Sequence, residues 1–268
     1  EAGITMKNTM EVVSVSMDIP TLDDTMPDNE RLMRALQGVT GMEKIRLPYT
    51  VIRKMPDVLR ESNFQVQCVI RKSKSNVFVY DILPKGETVI VGGLAIDIGT
   101  TSVAALLIDM ISGKILAKAS AGNGQIRFGA DVINRIIEST KPGGQRRLQN
   151  AIIDETINPM IDEICKNAGF RKDRIYRMSV ASNTTMNHLF AGVNADYLRQ
   201  EPYIPAFFKT NSLFAADLGI HVHPDAHIIL APNVGSYVGG DITAGTLVSM
   251  LWNRPEFSLF IDLGTNGE

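Results

Sequence analysis

The feature that most constrains this chain is a short motif that occurs twice. Ile96-Asp97-Ile98-Gly99-Thr100-Thr101 has a counterpart about 165 residues later in Ile261-Asp262-Leu263-Gly264-Thr265-Asn266-Gly267. Each copy closes a short apolar run, so each reads as a buried strand running into a tight turn. Glycine in such a turn lets backbone amides approach a ligand, and successive amides make a concave anion site. The threonine hydroxyls add donors. An aspartate at the strand end is a hard oxygen ligand, suited to Mg2+ while water and phosphate oxygens complete its shell. At ordinary residue frequencies two Asp-x-Gly-Thr segments arise by chance in about one chain in a thousand. Two such turns are suited to grip one triphosphate from opposite sides.

With 268 residues the chain has room for one large domain or two ordinary ones. A net charge of -2 gives no general pull toward nucleic acid or anionic membrane. The sequence holds no apolar run of membrane-spanning length, and its first residues lack a signal-peptide layout. The expectation is a cytoplasmic protein with neither nucleic acid nor membrane as partner. Cys68 and Cys165, the only two cysteines, cannot hold an iron-sulfur cluster or a zinc ion alone. Each lies in an apolar pattern and reads as a buried free thiol. His221, His223 and His227 lack a companion carboxylate or cysteine pattern, and the methionines read as core filler.

Residues 1–27 read as a linker, with a short strand over 11–17 and loop over 20–27. Residues 28–91 read as a small α+β middle domain. Asp28 would cap a helix carrying Leu32, Met33 and Leu36, and Pro56 would start a second, reaching about residue 62. Phe64, Val66, Cys68 and Ile70 alternate as a half-buried strand whose return runs over 77–83. From 92 to 256 the pattern is three strands in a meander (94–98, 103–110, 114–119), helices over 130–139 and 145–167, and strand 177–181. Helix 184–190, strand 227–231 and helix 242–252 follow. That order predicts an α/β fold, a ribonuclease-H-like lobe preceded by the small α+β domain. A strand over 257–263 would open a second lobe of the same kind, of which 257–268 is the truncated start.

The motifs resemble the acetate and sugar kinase, heat-shock chaperone and actin superfamily of ATPases. Within it they are most similar to the reductive activators of corrinoid proteins. The segments behind this are 95–104, Gly129-Ala130-Asp131-Val132-Ile133-Asn134-Arg135-Ile136, 181–190, Pro202-Tyr203-Ile204-Pro205-Ala206-Phe207, 231–241 and 261–268. The resemblance implies an ATPase that restores an inactive Co(II) corrinoid protein to Co(I), with ATP and Mg2+ as cofactors. It implies an electron donor as second partner, a [2Fe-2S] domain in the parent chain that these residues do not supply, and a homodimer for the intact protein. It also implies that this chain is a fragment, inactive alone.

On that resemblance Asp97 and Asp262 are expected as catalytic metal ligands. Gly99, Thr100, Thr101 and Ser102 are expected on the phosphates from one side, and Gly264, Thr265, Asn266 and Gly267 from the other. Gly239 and Gly240 precede a helix whose N-terminal amides favour an anion. Asp241 either caps that helix or orients the attacking water. Ser182 and Asn183, between a strand and a helix, read either as caps or as nucleotide contacts. A small-molecule kinase of acetate or sugar type, or a nucleotide-gated scaffold, is the alternative function. A nuclease is disfavoured because Ser182-Asn183 stands where a carboxylate would be needed.

Overall fold

A computed structural model of the chain describes residues 8–210 and 213–262. The chain divides into two compact units. Among the described residues the smaller is built from 8–91 together with Asp109–Gly113, and the larger from Gly92–Ile108 and the described residues from Lys114 to Asp262.

The smaller unit contains strand β1 (Met10–Ser16), helix α1 (Asp28–Thr40), strand β2 (Lys44–Arg46), helix α2 (Tyr49–Glu61), and strands β3 (Gln65–Lys72) and β4 (Asn76–Pro84). Its sheet runs β1-β3-β4-β2. The short strand expected over 11–17 is β1, one residue earlier, and it joins this sheet. β1 pairs antiparallel with β3 from Met10 opposite Arg71 to Ser16 opposite Gln65, because its alternating Val13 and Val15 reach the core while its backbone completes the ladder. Leu32 and Leu36 of α1 and Val51, Met55 and Leu59 of α2 pack with Val66, Cys68, Ile70, Val77 and Ile82 of the sheet. Asp28 does not cap α1. Pro27 holds the cap position, and Asp28 in the first turn pairs with Arg60 at 2.8 Å. α2 starts at Tyr49, behind Pro48, rather than at Pro56. Pro56 lies inside the helix, where the buried stripe of Val51, Met55, Val58 and Leu59 outweighs the missing backbone N–H.

The larger unit opens with strands β5 (Gly92–Ile98), β6 (Ser102–Asp109) and β7 (Ile115–Gly122). Helices α3 (Val132–Thr140), α4 (Gly144–Ile152) and α5 (Asn158–Ala168) follow, then strand β8 (Ile175–Ser182), helix α6 (Thr184–Ala191) and the single turn α7 (Ala215–Leu218). Strand β9 (His227–Leu230) and helix α8 (Gly240–Ser249) complete it. The sheet order is β7-β6-β5-β8-β9, with β6 and β7 antiparallel and β5, β8 and β9 parallel. Counted within this unit, the strands stand 3-2-1-4-5. Leu94, Ile96, Ile98, Val103 and Leu107 meet Leu148, Ile152, Ile161 and Ile164 and, from β8 and α6, Met178, Val180 and Phe190. Each such aliphatic or aromatic side chain contributes about 1.5–3 kcal/mol when fully buried.

In the larger unit two further expectations differ from the fold. The helix over 145–167 is interrupted by a π-helical turn at Ile153–Ile157. Pro159, in the first turn of α5, has no N–H to continue an α ladder, and the Asn158 N–H reaches back five residues to the Ile153 carbonyl. Over 257–262 the chain is irregular where a strand was expected. Phe257, Leu259 and Ile261 are exposed there, and among the described residues no neighbouring strand offers a ladder. Leu263 lies outside the described residues.

Candidate functional site

β5 ends in Asp97-Ile98 and turns through Gly99, Thr100 and Thr101 into β6. The Gly99 N–H donates to the Ser102 carbonyl at 2.9 Å, and a Cβ on Gly99 would stand 2.7 Å from that same oxygen. Only glycine closes the turn so tightly. Thr100 is buried, whereas Asp97, Thr101 and Ser102 are exposed. The three turn carbonyls are engaged from behind: Asn123 Nδ2 donates to Gly99 at 2.8 Å, Arg135 Nη2 to Thr100 at 2.5 Å, and the Asn123 N–H to Thr101 at 2.8 Å.

The parallel neighbour β8 ends beside this turn at Ser182-Asn183. Asn183 caps α6, its side-chain oxygen accepting from the Met186 N–H at 2.9 Å, while its Nδ2 reaches Thr100 Oγ1 at 3.4 Å. Cap and turn contact thus coexist in one side chain. Ser182 Oγ donates to Asn187, which donates to the buried Asn233 at 2.8 Å. The segment before α8 is drawn onto the strand ends by two glycines. A Cβ on Gly239 would lie 2.4 Å from the Asn183 Cα, and one on Gly240 2.5 Å from the Ala231 carbonyl. Gly239, not Asp241, holds the cap position of α8. Asp241 stands in its first turn and accepts from the Ile242 N–H at 2.9 Å.

Three carboxylates from separate segments meet electrostatically here. Asp97 is raised above the ordinary carboxylate value, first by partial removal from water and then by the charges of Asp241 and Asp262. Asp241 is raised too, again by loss of water first, with backbone N–H bonds opposing and Asp262 adding. No three His, Cys, Asp or Glu side chains among the described residues form a group able to hold a metal ion by themselves. Gly264, Thr265, Asn266 and Gly267 lie outside the described residues. His223 packs on Tyr176 and His227 on Phe214, with ring centroids 5.1 and 4.5 Å apart. Cys68 and Cys165 are buried and free, their thiols pushed up to about 12 and about 11 chiefly by burial.

Sequence reasoning passed over Asn123 and Arg135, the two side chains that hold the first turn. The available signal was a charged residue, Arg135, on the same helical face as the apolar Val132 and Ile136, just after the Asp131 cap that accepts from the Asn134 N–H at 2.8 Å.

The sequence also matches known families. A family model described as the RACo middle region matches residues 92–254, and one described as the RACo linker region matches residues 1–89. The chain belongs to the RACo family of reductive activators of corrinoid proteins. Among its relatives, the corrinoid activation enzyme RamQ of Eubacterium limosum is 36% identical over 192 residues, 71% of this chain and 32% of RamQ. A solved structure titled reductive activator for corrinoid,iron-sulfur protein superposes with a TM-score of 0.87 at 38% identity, over 99% of this chain and 42% of that one. The chain thus spans well under half the length of these relatives. Residues 28–89 of the segment read as a small α+β domain lie within the match to the linker region, and the match to the middle region begins at Gly92. Among the described residues no helix is long and apolar enough to cross a membrane.

Proposed function

We propose that the larger unit is a ribonuclease-H-like lobe of an actin-type ATPase, and that it contributes half of an ATP site in a protein that reductively activates a corrinoid partner. The 3-2-1-4-5 strand order with an antiparallel second strand supports the lobe, and family membership supports the activity. The observation that carries the nucleotide reading is the electrostatic meeting of Asp97, Asp241 and Asp262 beside two glycine-formed turns. The phosphates would lie against Gly99, Thr100, Thr101 and Ser102, with Asn183, Gly239 and Gly240 opposite. Asp241, in the first turn of a helix, would orient a water.

The donor set fits Mg2+. Asp97 and Asp241, raised by loss of water and by the neighbouring charge of Asp262, are relieved by a divalent cation. Asp97 and Asp262 would hold it, with waters and phosphate oxygens completing a shell that protein groups alone do not fill. The ion would neutralise phosphate charge. The chain does not fit an iron-sulfur cluster, since its two thiols are buried in separate cores. The electron that converts Co(II) to Co(I) therefore comes from a donor other than these residues. ATP supplies no electron; it shifts the corrinoid complex toward a reducible state by binding its two states unequally.

The test is anaerobic and uses the full-length protein, a chemical reductant and a Co(II) corrinoid protein, following Co(I) absorbance. ATP-dependent formation of Co(I) is expected. Equal reduction with and without ATP removes the reading.

A further inference from the structure

Arg135 lies on α3 with no exposed surface, directly behind the Gly99–Thr101 turn. Its guanidinium donates to the Thr100 carbonyl at 2.5 Å, the Gly129 carbonyl at 2.9 Å and Gln125 Oε1 at 3.4 Å, and it touches Met186 Sδ at 3.3 Å. Every one of these partners is neutral. The acid that acts on it through space is Asp131, whose two oxygens are engaged by the Asn134 N–H and Nδ2 at 2.8 Å. Burial pushes the guanidinium down to about 10, which leaves it charged at neutral pH.

A buried cation without a bonded carboxylate is costly, and such groups persist where a counter-charge arrives from elsewhere. The geometry of the turn says where. A trans peptide carries its N–H opposite its C=O. Holding the Gly99 and Thr100 carbonyls from behind, as Asn123 and Arg135 do, turns the N–H bonds of Thr100 and Thr101 to the opposite side. Successive N–H groups so aligned bind anions.

We propose that Arg135 is the positioning residue of this turn, holding its peptide groups in anion-binding orientation and keeping a positive charge with no bonded carboxylate behind them that a bound phosphate neutralises. The assignment rests on the nucleotide reading of the site. It adds a residue that touches no ligand and acts through the backbone and through its field.

The test compares full-length wild-type protein with R135K, R135Q, Gln125→Glu and Gln125→Met. Mg-ATP and inorganic triphosphate are titrated calorimetrically, and ligand-free melting is recorded. Gln125→Glu is the discriminating variant, because it places a carboxylate on an existing Arg135 partner, and Gln125→Met is its control, because both lose the Gln125 Nε2 donor to the buried Leu148 carbonyl at 2.9 Å and only the first adds charge. Expected are a loss of about tenfold in ATP affinity for Gln125→Glu relative to Gln125→Met, with both melting below wild type, a similar loss for R135Q, and R135K within about threefold of wild type. A Gln125→Glu variant that binds ATP within threefold of Gln125→Met overturns the charge role whether or not R135Q folds. Loss in R135K equal to that in R135Q also overturns it. Wild-type protein that binds neither ATP nor triphosphate overturns the nucleotide reading itself, a separate failure.

Discussion

Asp97 is exposed at a strand end and is still held above its ordinary value, so its neighbours matter as well as its burial. Asp97 and Asp241 both bind protons more tightly folded than unfolded. They therefore favour the fold below the unfolded value near 3.8, and this advantage is lost as pH rises through their raised folded values. Asp97→Asn should melt about 1–3 °C above wild type at pH 7 in chelator, with the difference fading by pH 4. Calorimetric melts across that range check it, and a variant that melts lower at pH 7 contradicts the repulsion. His188 has the opposite sign. Fully buried and stacked on Phe207, it contacts the Thr184 carbonyl through Nδ1 at 2.8 Å and accepts the Ala206 N–H on Nε2 at 3.0 Å, the neutral tautomer. Burial holds it below 6.5, so its stabilisation is complete above that value and is lost as pH falls through its depressed folded value. His188→Ala should cost about 2–3 kcal/mol at pH 7 and flatten the urea midpoint between pH 7 and 5.

At the scale of elements, the π turn between α4 and α5 is tied to the site's outer framework by one hydroxyl. Buried Thr156 donates to the Ala151 carbonyl at 2.8 Å and accepts the Gly124 N–H at 3.1 Å, one residue past Asn123. Thr156→Val keeps the shape and strands both backbone groups. Urea unfolding should show a loss of about 1–3 kcal/mol. The opposite outcome is expected at Pro56, which is exposed inside α2. Pro56→Ala restores a backbone donor and should stabilise the smaller unit by about 1–3 kcal/mol, less what the more flexible unfolded chain takes back. Neither element was legible in full. The apolar face of α2 shows in the sequence at Val51, Met55, Val58 and Leu59, but Pro56 reads as a start because proline chemistry at a helix start is local and packing is not. The face of the 144–168 helix was readable, while its change of pitch depends on Thr156 finding Gly124 across the fold.

At the scale of the whole molecule there are two cores, one centred on Leu59 and Val66 and the other on Leu107 and Met178. Leu59→Ala and Leu107→Ala, both at fully buried positions, should each cost about 2–5 kcal/mol. If the units unfold separately, each substitution lowers its own transition in denaturant and leaves the other in place. Simultaneous shifts of a single transition would show one cooperative body instead. Strand periodicity, the glycine turn after Asp97, and the helix faces were determined by the sequence alone, because alternation and turn chemistry act within a few residues. Tertiary structure alone decided that β1 closes the edge of the small sheet, that residues 257–262 find no ladder among the described residues, and that Asp241 comes within electrostatic reach of Asp97. It also decided that Arg135, read as one more helix residue, lies against the Thr100 carbonyl. Those outcomes depend on which distant segments share a low-dielectric space, and a linear pattern does not encode that distance.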